Sequence, residues 1–168
     1  MNHCRRSSST AHWPHANDRN RSIALNRLTP LLAAPEIRLV SLQCDVHHGD
    51  DGILRGHPDV LCLGHEVKDF ADTAAIISLL DVIVSVDTAV AHLAGALGKP
   101  VFVLLPYAAE FRWMLGRQVS PWYPTARLFR QPCPGDWETV VTHVRASLEE
   151  DSARRKRPNA LIETPPQL

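Results

Sequence analysis

The stretch "VIVSVDTAVAHLAGALGKPVFVLL", residues 82–105, holds two apolar, largely β-branched runs on either side of a segment of small residues. Runs that are apolar at consecutive positions suit central parallel strands covered on both faces. Gly98-Lys99-Pro100 supplies a helix stop before the second run. The unit reads as strand, abrupt turn at Asp87-Thr88, alanine-rich helix, strand. In the first turn of such a helix the backbone N–H groups lack intrahelical partners, and with the macrodipole they favour an anion. Thr88 adds a hydroxyl donor, while Ala89, Ala91, Ala94, Gly95 and Ala96 let a diphosphate and the neighbouring strands come close. His92 lies four residues after Thr88, one turn deeper on roughly the same face, where it could donate to the same phosphate. A purely structural reading fits these residues too: Asp87 as a helix cap, His92 as a satisfied core histidine, the alanines as helix-to-sheet packing.

On either side of this unit the alternation continues. Ser22 is placed to cap a helix over "IALNRLTPLLAA", which must bend at Pro30. "IRLVSL" (37–42) reads as a buried strand and "DVLCL" (59–63) as a shorter one; Asp72 is expected to cap a helix through "TAAIISLL". "ARLFRQ" (126–131) is a last strand. "PGDWETVVTHVRASLEE" then shows Trp137, Val140, Val141, Val144 and Leu148 at helical spacing. About five alternations of strand and helix predict an α/β fold, an open and mostly parallel Rossmann-like sheet with helices on both faces. Such sheets bind ligands beyond the carboxyl ends of their strands, where Asp87-Thr88 stands. Residues 1–21 are polar and aperiodic and are expected to be irregular; 22–149 are expected to form the Rossmann-like domain; 150–168, charged and Pro-rich, are expected to be a disordered tail.

Composition narrows the function classes. The chain has 168 residues, 45% hydrophobic, with 18 basic against 18 acidic side chains, which suits one α/β domain with a real core. Balanced charge gives no general electrostatic reason to expect nucleic acid or an anionic membrane as partner. The cysteines, Cys4, Cys44, Cys62 and Cys133, form no C-x-x-C pair, so neither a disulfide framework nor a zinc knuckle is suggested, and free thiols in a reducing cytoplasm are expected. No apolar run approaches a membrane span, and the start lacks the apolar segment of a signal peptide, so a cytoplasmic location is expected.

Further polar positions carry competing readings. Gln43 closes the first strand, where its amide can meet a ribose or base or simply close a loop. Asp69, Phe70 and Asp72 stand at another strand-to-helix turn. "EFRWMLGRQVSPWYP" brings Arg112, Trp113, Trp122 and Tyr123 into one loop segment, suited either to a sugar or nucleoside diphosphate or to a loop pinned by buried rings. His47-His48 with Asp45 and Asp50 lack a recognised zinc spacing, so no metal is expected. "RRKR" (154–157) reads as a solvated charge run. Lys99 interacts with the negative end of the preceding helix without needing a ligand.

The ordered set "NDRNRS", "SLQ", "FADTAA", "SVDTAVAHLAGALGKPV", "RW" and "SPWYPTARLFRQ" resembles the C-terminal domain of glycosyltransferase family 9, the ADP-heptose:lipopolysaccharide heptosyltransferase-like enzymes, in particular those fused behind tetratricopeptide repeats. The resemblance covers roughly residues 15–148. It implies the donor-binding half of a GT-B fold, in which two Rossmann-like domains face each other across a cleft. It further implies that Asp87, Thr88 and the N–H of Ala89 meet the diphosphate of a nucleotide-diphosphate sugar, with His92 supporting them. Arg21 and Ser22 would face the same phosphates, since a guanidinium fork can hold two oxygens at once; Arg112 and Trp113 would serve the donor, while Gln43 stays open between a ribose or base contact and a loop-closing bond. Transfer in this architecture needs no cofactor or metal. The helix terminus and basic groups stabilise charge on the departing diphosphate.

Two departures from the family pattern stand out. Where the family's domain opens with an apolar strand and a Gly-containing turn, this chain has "CRRSSSTAHWP", and Ala16 stands where many relatives carry a lysine. The first strand is thus expected to be missing from mid-sheet, leaving its neighbours exposed. The acceptor's general base belongs, in the family, to the N-terminal acceptor domain. This chain is accordingly expected to be a truncated piece, inactive alone, with a missing N-terminal domain as partner. The competing class is a non-catalytic nucleotide-binding or protein-interaction module. No G-x-S-x-G or G-x-G-x-x-G supports a hydrolase or dehydrogenase.

Overall fold

A computed structural model describes residues 22–35, 37–43 and 50–156. Arg21, Ala16, His47 and His48 lie outside these residues, as does the segment 1–21.

Three parallel strands form the centre: β3 (Ile83–Val86), β4 (Val101–Leu105) and β5 (Ala126–Arg130), in that spatial order, after β1 (Val40–Ser41) and β2 (Leu61–Cys62). β4 is paired on both sides, with Ile83 opposite Val101 and Val101 opposite Ala126. All five of its residues are buried. Period-two alternation sends them to two cores. Val101, Val103 and Leu105 join Ile83, Ala126 and Leu128 against Ala91 and Ala94 of helix α4 (Ala89–Ala96) and Ile77 of α3 (Phe70–Leu79). Phe102 and Leu104 face Trp137, Val140, Val141, Val144 and Leu148 of α5 (Trp137–Lys156). Helices thus cover both faces, which is the α/β architecture expected.

β1 and β2 pair with each other in parallel over two register positions, Val40 with Leu61 and Ser41 with Cys62. Among the described residues no ladder joins them to β3; the described strands form a two-stranded and a three-stranded sheet. The expected buried strand over 37–42 is therefore corrected to a two-residue, half-buried one. Its flanks still reach both cores, Ile37 packing with the α5 side and Leu42 with the α4 side. The stretch "CRRSSSTAHWP" that bears on a missing strand lies outside the described residues.

Helix boundaries differ from expectation for local reasons. Ser22 caps nothing: the chain forms a 3-10 turn, Leu25–Leu28, whose N-cap is Ala24, and then the short helix α1 (Thr29–Leu32). Pro30 sits in the first turn of α1, where its missing N–H leaves no bond unmade, so the helix starts there instead of bending. A five-residue helix, α2 (Asp51–Arg55), precedes β2. α3 begins three residues earlier than Asp72 suggested. Asp69 is the cap and accepts from the N–H groups of Ala71 at 2.8 Å and Asp72 at 3.0 Å, while the Asp72 carboxylate reaches back to the Lys68 N–H at 3.0 Å.

α4 stops as the sequence implies. Gly98 has φ 67°, its N–H bonds to the Gly95 carbonyl at 3.1 Å, and that of Lys99 bonds to Ala94 at 3.0 Å, the reciprocal pair that closes a helix on a left-handed glycine.

α5 runs to Lys156, so residues 150–156 are helical and not part of a disordered tail. Arg155 bonds Asp81 at the start of β3, Arg127 of β5 pairs with Asp151 at 3.6 Å, and Arg145 bonds Glu149 one turn on at 2.7 Å. Three basic residues in the last turn also suit the helix dipole. Among the described residues no helix is long and apolar enough to cross a membrane.

Candidate functional site

Because β3, β4 and β5 are parallel and in register, the segments leaving their carboxyl ends share one edge of the sheet: Asp87-Thr88 after β3, residues 106–125 after β4, and Gln131 after β5. The β4–β5 connection contains just the 3-10 turn Phe111–Trp113 and a single antiparallel bridge from Val119 to Arg127. A connection so long with so little secondary structure is uncommon in a compact domain and is usually functional.

Thr88, not Asp87, is the N-cap of α4, in extended conformation and without a side-chain cap bond; its hydroxyl lies 2.9 Å from that of Ser85. The Thr88 side chain thus places no acceptor on the first-turn amides of the helix. Ala89, the first helical residue, is exposed. Asp87 is only 5% exposed, with an oxygen 3.5 Å from His92 Nε2.

His92 is the hub of the site. Its Nδ1 lies 3.1 Å from the Tyr123 hydroxyl, and its ring stacks on Trp113 at 5.3 Å with an interplanar angle of 20°. A tautomer with the proton on Nε2 lets Nδ1 accept the phenol hydrogen while Nε2–H faces the Asp87 carboxylate. His92 is thus held between Asp87, Tyr123 and Trp113 and stays partly exposed at the cleft. Gly95 explains the fit of Tyr123. A Cβ there would stand 2.5 Å from the tyrosine ring, so only glycine lets the ring lie against α4.

Beside this hub opens a cleft of about 470 Å³ lined by His92, Phe111, Arg112, Trp113, Trp122 and Tyr123. Its wall is pinned from several sides. Arg112 pairs with Glu110, and Trp122 donates its indole N–H to the Arg112 carbonyl at 3.2 Å. The buried Ser120 hydroxyl accepts from the N–H groups of Trp122 at 3.2 Å and Tyr123 at 3.4 Å. From the end of β5, Arg130 donates to the carbonyls of Trp113 (3.3 Å) and Met114. Met114 has φ 48°, a conformation that L-residues avoid and that such clamping sustains. Burial lowers the Arg130 pKa. Trp113 Nε1 and one guanidinium nitrogen of Arg130 are buried without a hydrogen-bond partner among the described residues, an uncommon condition in a folded core.

Of the residues singled out in the sequence, the structure brings Asp87, Thr88, His92, Arg112 and Trp113 to one edge. Ser22 and Gln43, both exposed, do not line the cleft. Arg21 lies outside the described residues. Asp50 is described, whereas Asp45, His47 and His48 lie outside the described residues; among the described residues no cluster of three or more potential metal ligands occurs. Ser85, Glu110, Phe111 and Arg130 were not anticipated. Arg130 was the most accessible of these, being a cationic residue at the carboxyl end of a core strand.

Comparison with known proteins now adds to the geometry. Residues 67–133 match the family model described as glycosyltransferase family 9 (heptosyltransferase). Protein FlbA of Caulobacter vibrioides is 34% identical to the chain over 85 residues, which are 51% of this chain and 14% of that protein. The chain thus corresponds to a small part of that curated relative's length. No solved structure matches. The resemblance to glycosyltransferase family 9 is shown by the family match, whose boundaries run from just before α3 to just past β5 and enclose the Asp87-Thr88 turn and the whole aromatic cleft.

Proposed function

We propose that this chain is the donor-binding half of a two-domain glycosyltransferase, taking a nucleotide-diphosphate sugar at the start of α4. Glycosyl transfer is the general chemistry of the family matched; the donor role rests on one observation. That observation is the Asp87-Thr88 turn at the carboxyl edge of the parallel sheet, where α4 opens with an exposed Ala89 and with no side-chain cap from Thr88. Amides so placed, aligned with the helix dipole, suit a diphosphate. In transfer they would stabilise the negative charge gathering on the departing nucleoside diphosphate, with Arg112 as the cation that lines the adjoining cleft. His92, held by Asp87 and Tyr123, would keep the turn and the aromatic wall in register. The acceptor hydroxyl needs a general base. In this reading that base comes from an acceptor domain outside the chain, so the isolated chain binds donor without turnover and needs no metal.

Titration of the full chain with nucleoside diphosphates tests the reading. Binding should occur and should weaken about tenfold in Thr88→Val, the loss of one good hydrogen bond to a charged group. A folded chain that gives no signal with any nucleoside diphosphate overturns it.

A second reading, a protein-interaction module, is favoured by the exposed apolar side chains of Phe111, Leu115, Val119 and Trp122 in one connection. Such a module would bind no nucleoside diphosphate and would be indifferent to Thr88.

A further inference from the structure

The two tryptophans of the β4–β5 connection have opposite environments. Trp113 is 1% exposed and lies against His92, so it supports the cleft but offers no open face. Trp122 is 63% exposed and Phe111 85%, and both line the cleft. A ligand entering there meets Phe111 and Trp122, not Trp113.

Exposed aromatic rings on a loop are ordinarily free to turn away. Trp122 is not: its indole N–H is bonded to the Arg112 carbonyl and its backbone N–H to the buried Ser120 hydroxyl. Holding a ring in place before a ligand arrives removes part of the ordering cost of binding. The Arg112–Glu110 pair adds donors and a carboxylate acceptor next to the rings. A flat apolar face beside a fixed donor and acceptor matches a pyranose, which has one C–H face and a rim of hydroxyls that both give and take hydrogen bonds.

Position selects which part of the donor this is. His92 belongs both to the cleft and to the Asp87 turn, so the cleft begins where the diphosphate would end. The cleft lies on the β4 side of that turn, and a nucleotide sugar anchored by its diphosphate extends one end there.

We propose that Phe111 and Trp122, with the Arg112 that Glu110 holds, form a saccharide subsite for the glycosyl end of the donor. The proposal rests on the donor reading above and is separable from it by experiment. The full chain is titrated with ADP, GDP and UDP and with ADP-glucose, GDP-mannose and UDP-N-acetylglucosamine. At least one nucleotide sugar should bind more tightly than its own diphosphate. Trp122→Ala should abolish that gain, weakening the nucleotide sugar about tenfold, as loss of one well-placed ring contact does, while leaving the diphosphate within about twofold. Trp122→Phe should restore most of the gain, and Phe111→Ala should lose part of it.

If Trp122→Ala weakens diphosphate and nucleotide sugar equally, the ring holds the nucleoside and the saccharide assignment is overturned. It is equally overturned if no sugar nucleotide gains over its diphosphate, or if the gain survives both alanine variants. In each of these cases diphosphate binding itself still stands. If no nucleoside diphosphate binds to the folded chain, the donor reading fails and the subsite with it.

Discussion

The β3–β4–β5 half and the β1–β2 half of this chain are built to very different standards. In the first, β4 is hydrogen-bonded along its length on both edges and each face of the sheet carries its own core. In the second, among the described residues, two strands of two residues pair only with each other, and Leu61 is 54% exposed. The stretch "IRLVSL" interrupts its apolar residues with Arg38 and Ser41, whereas "VFVLL" is apolar throughout and has a helix on each face and a strand on each edge. The family match covers the well-built half, and the candidate site hangs from its carboxyl edge. A rigid sheet is the natural support for a site on loops.

The contrast predicts unequal costs. Phe102→Ala, which empties a position buried between Phe129 and the α5 face, should destabilise by about 3–5 kcal/mol, whereas Leu61→Ala should stay within about 0.5 kcal/mol. Urea denaturation measures both. Equal costs would show that the two halves unfold as one equally dependent unit.

A medium effect is expected where the strong half meets the site. Gly95→Ala drives a methyl into the Tyr123 ring and should cost about 1–3 kcal/mol despite alanine's better helix propensity. Because Tyr123 is bonded to His92, the same variant should also disturb the cleft, readable as a change in tryptophan fluorescence. A stabilised variant with unaltered fluorescence would mean that the ring moves aside freely.

The smallest effect concerns the start of α5. Asp136 accepts from the Thr139 N–H at 3.0 Å and the Thr139 hydroxyl at 2.8 Å, and these bonds hold its pKa below the ordinary carboxylate value. A lowered folded-state pKa means that the unfolded chain binds the proton first as pH falls. This contribution is complete above the unfolded pKa and disappears as the pH drops through the folded one. Asp136→Asn should therefore flatten the acid limb of the stability profile slightly, as seen in melting temperature against pH. An unchanged acid limb would show that the cap bonds do not persist in solution.

Several features were legible in the sequence because the chemistry responsible is local. The Asp87-Thr88 turn, the small-residue helix and its Gly98 stop follow from backbone preferences within a dozen residues. The five apolar positions of α5 follow from a 3.6-residue repeat. The choice between Asp69 and Asp72 as cap of α3 was not legible, since both are good cap residues three positions apart and the register of the helix settles it. The helical stretch 150–156 was also hidden. Its composition resembles a solvated tail, and the groups that hold it, Asp81 and Arg127, are far away in sequence.

Periodicity, turn chemistry and composition were thus enough to establish the α/β class, its central strands and the place of the Asp87-Thr88 turn at their carboxyl edge. Burial was not theirs to give. Trp113 and Trp122 are the same residue type nine positions apart, yet one is a support beneath His92 and the other a face towards the cleft. That difference arises because β5 brings Arg130 under the Trp113–Met114 turn, and because Gly95 admits Tyr123 against α4. Both are contacts between segments distant in the chain, which no local pattern encodes.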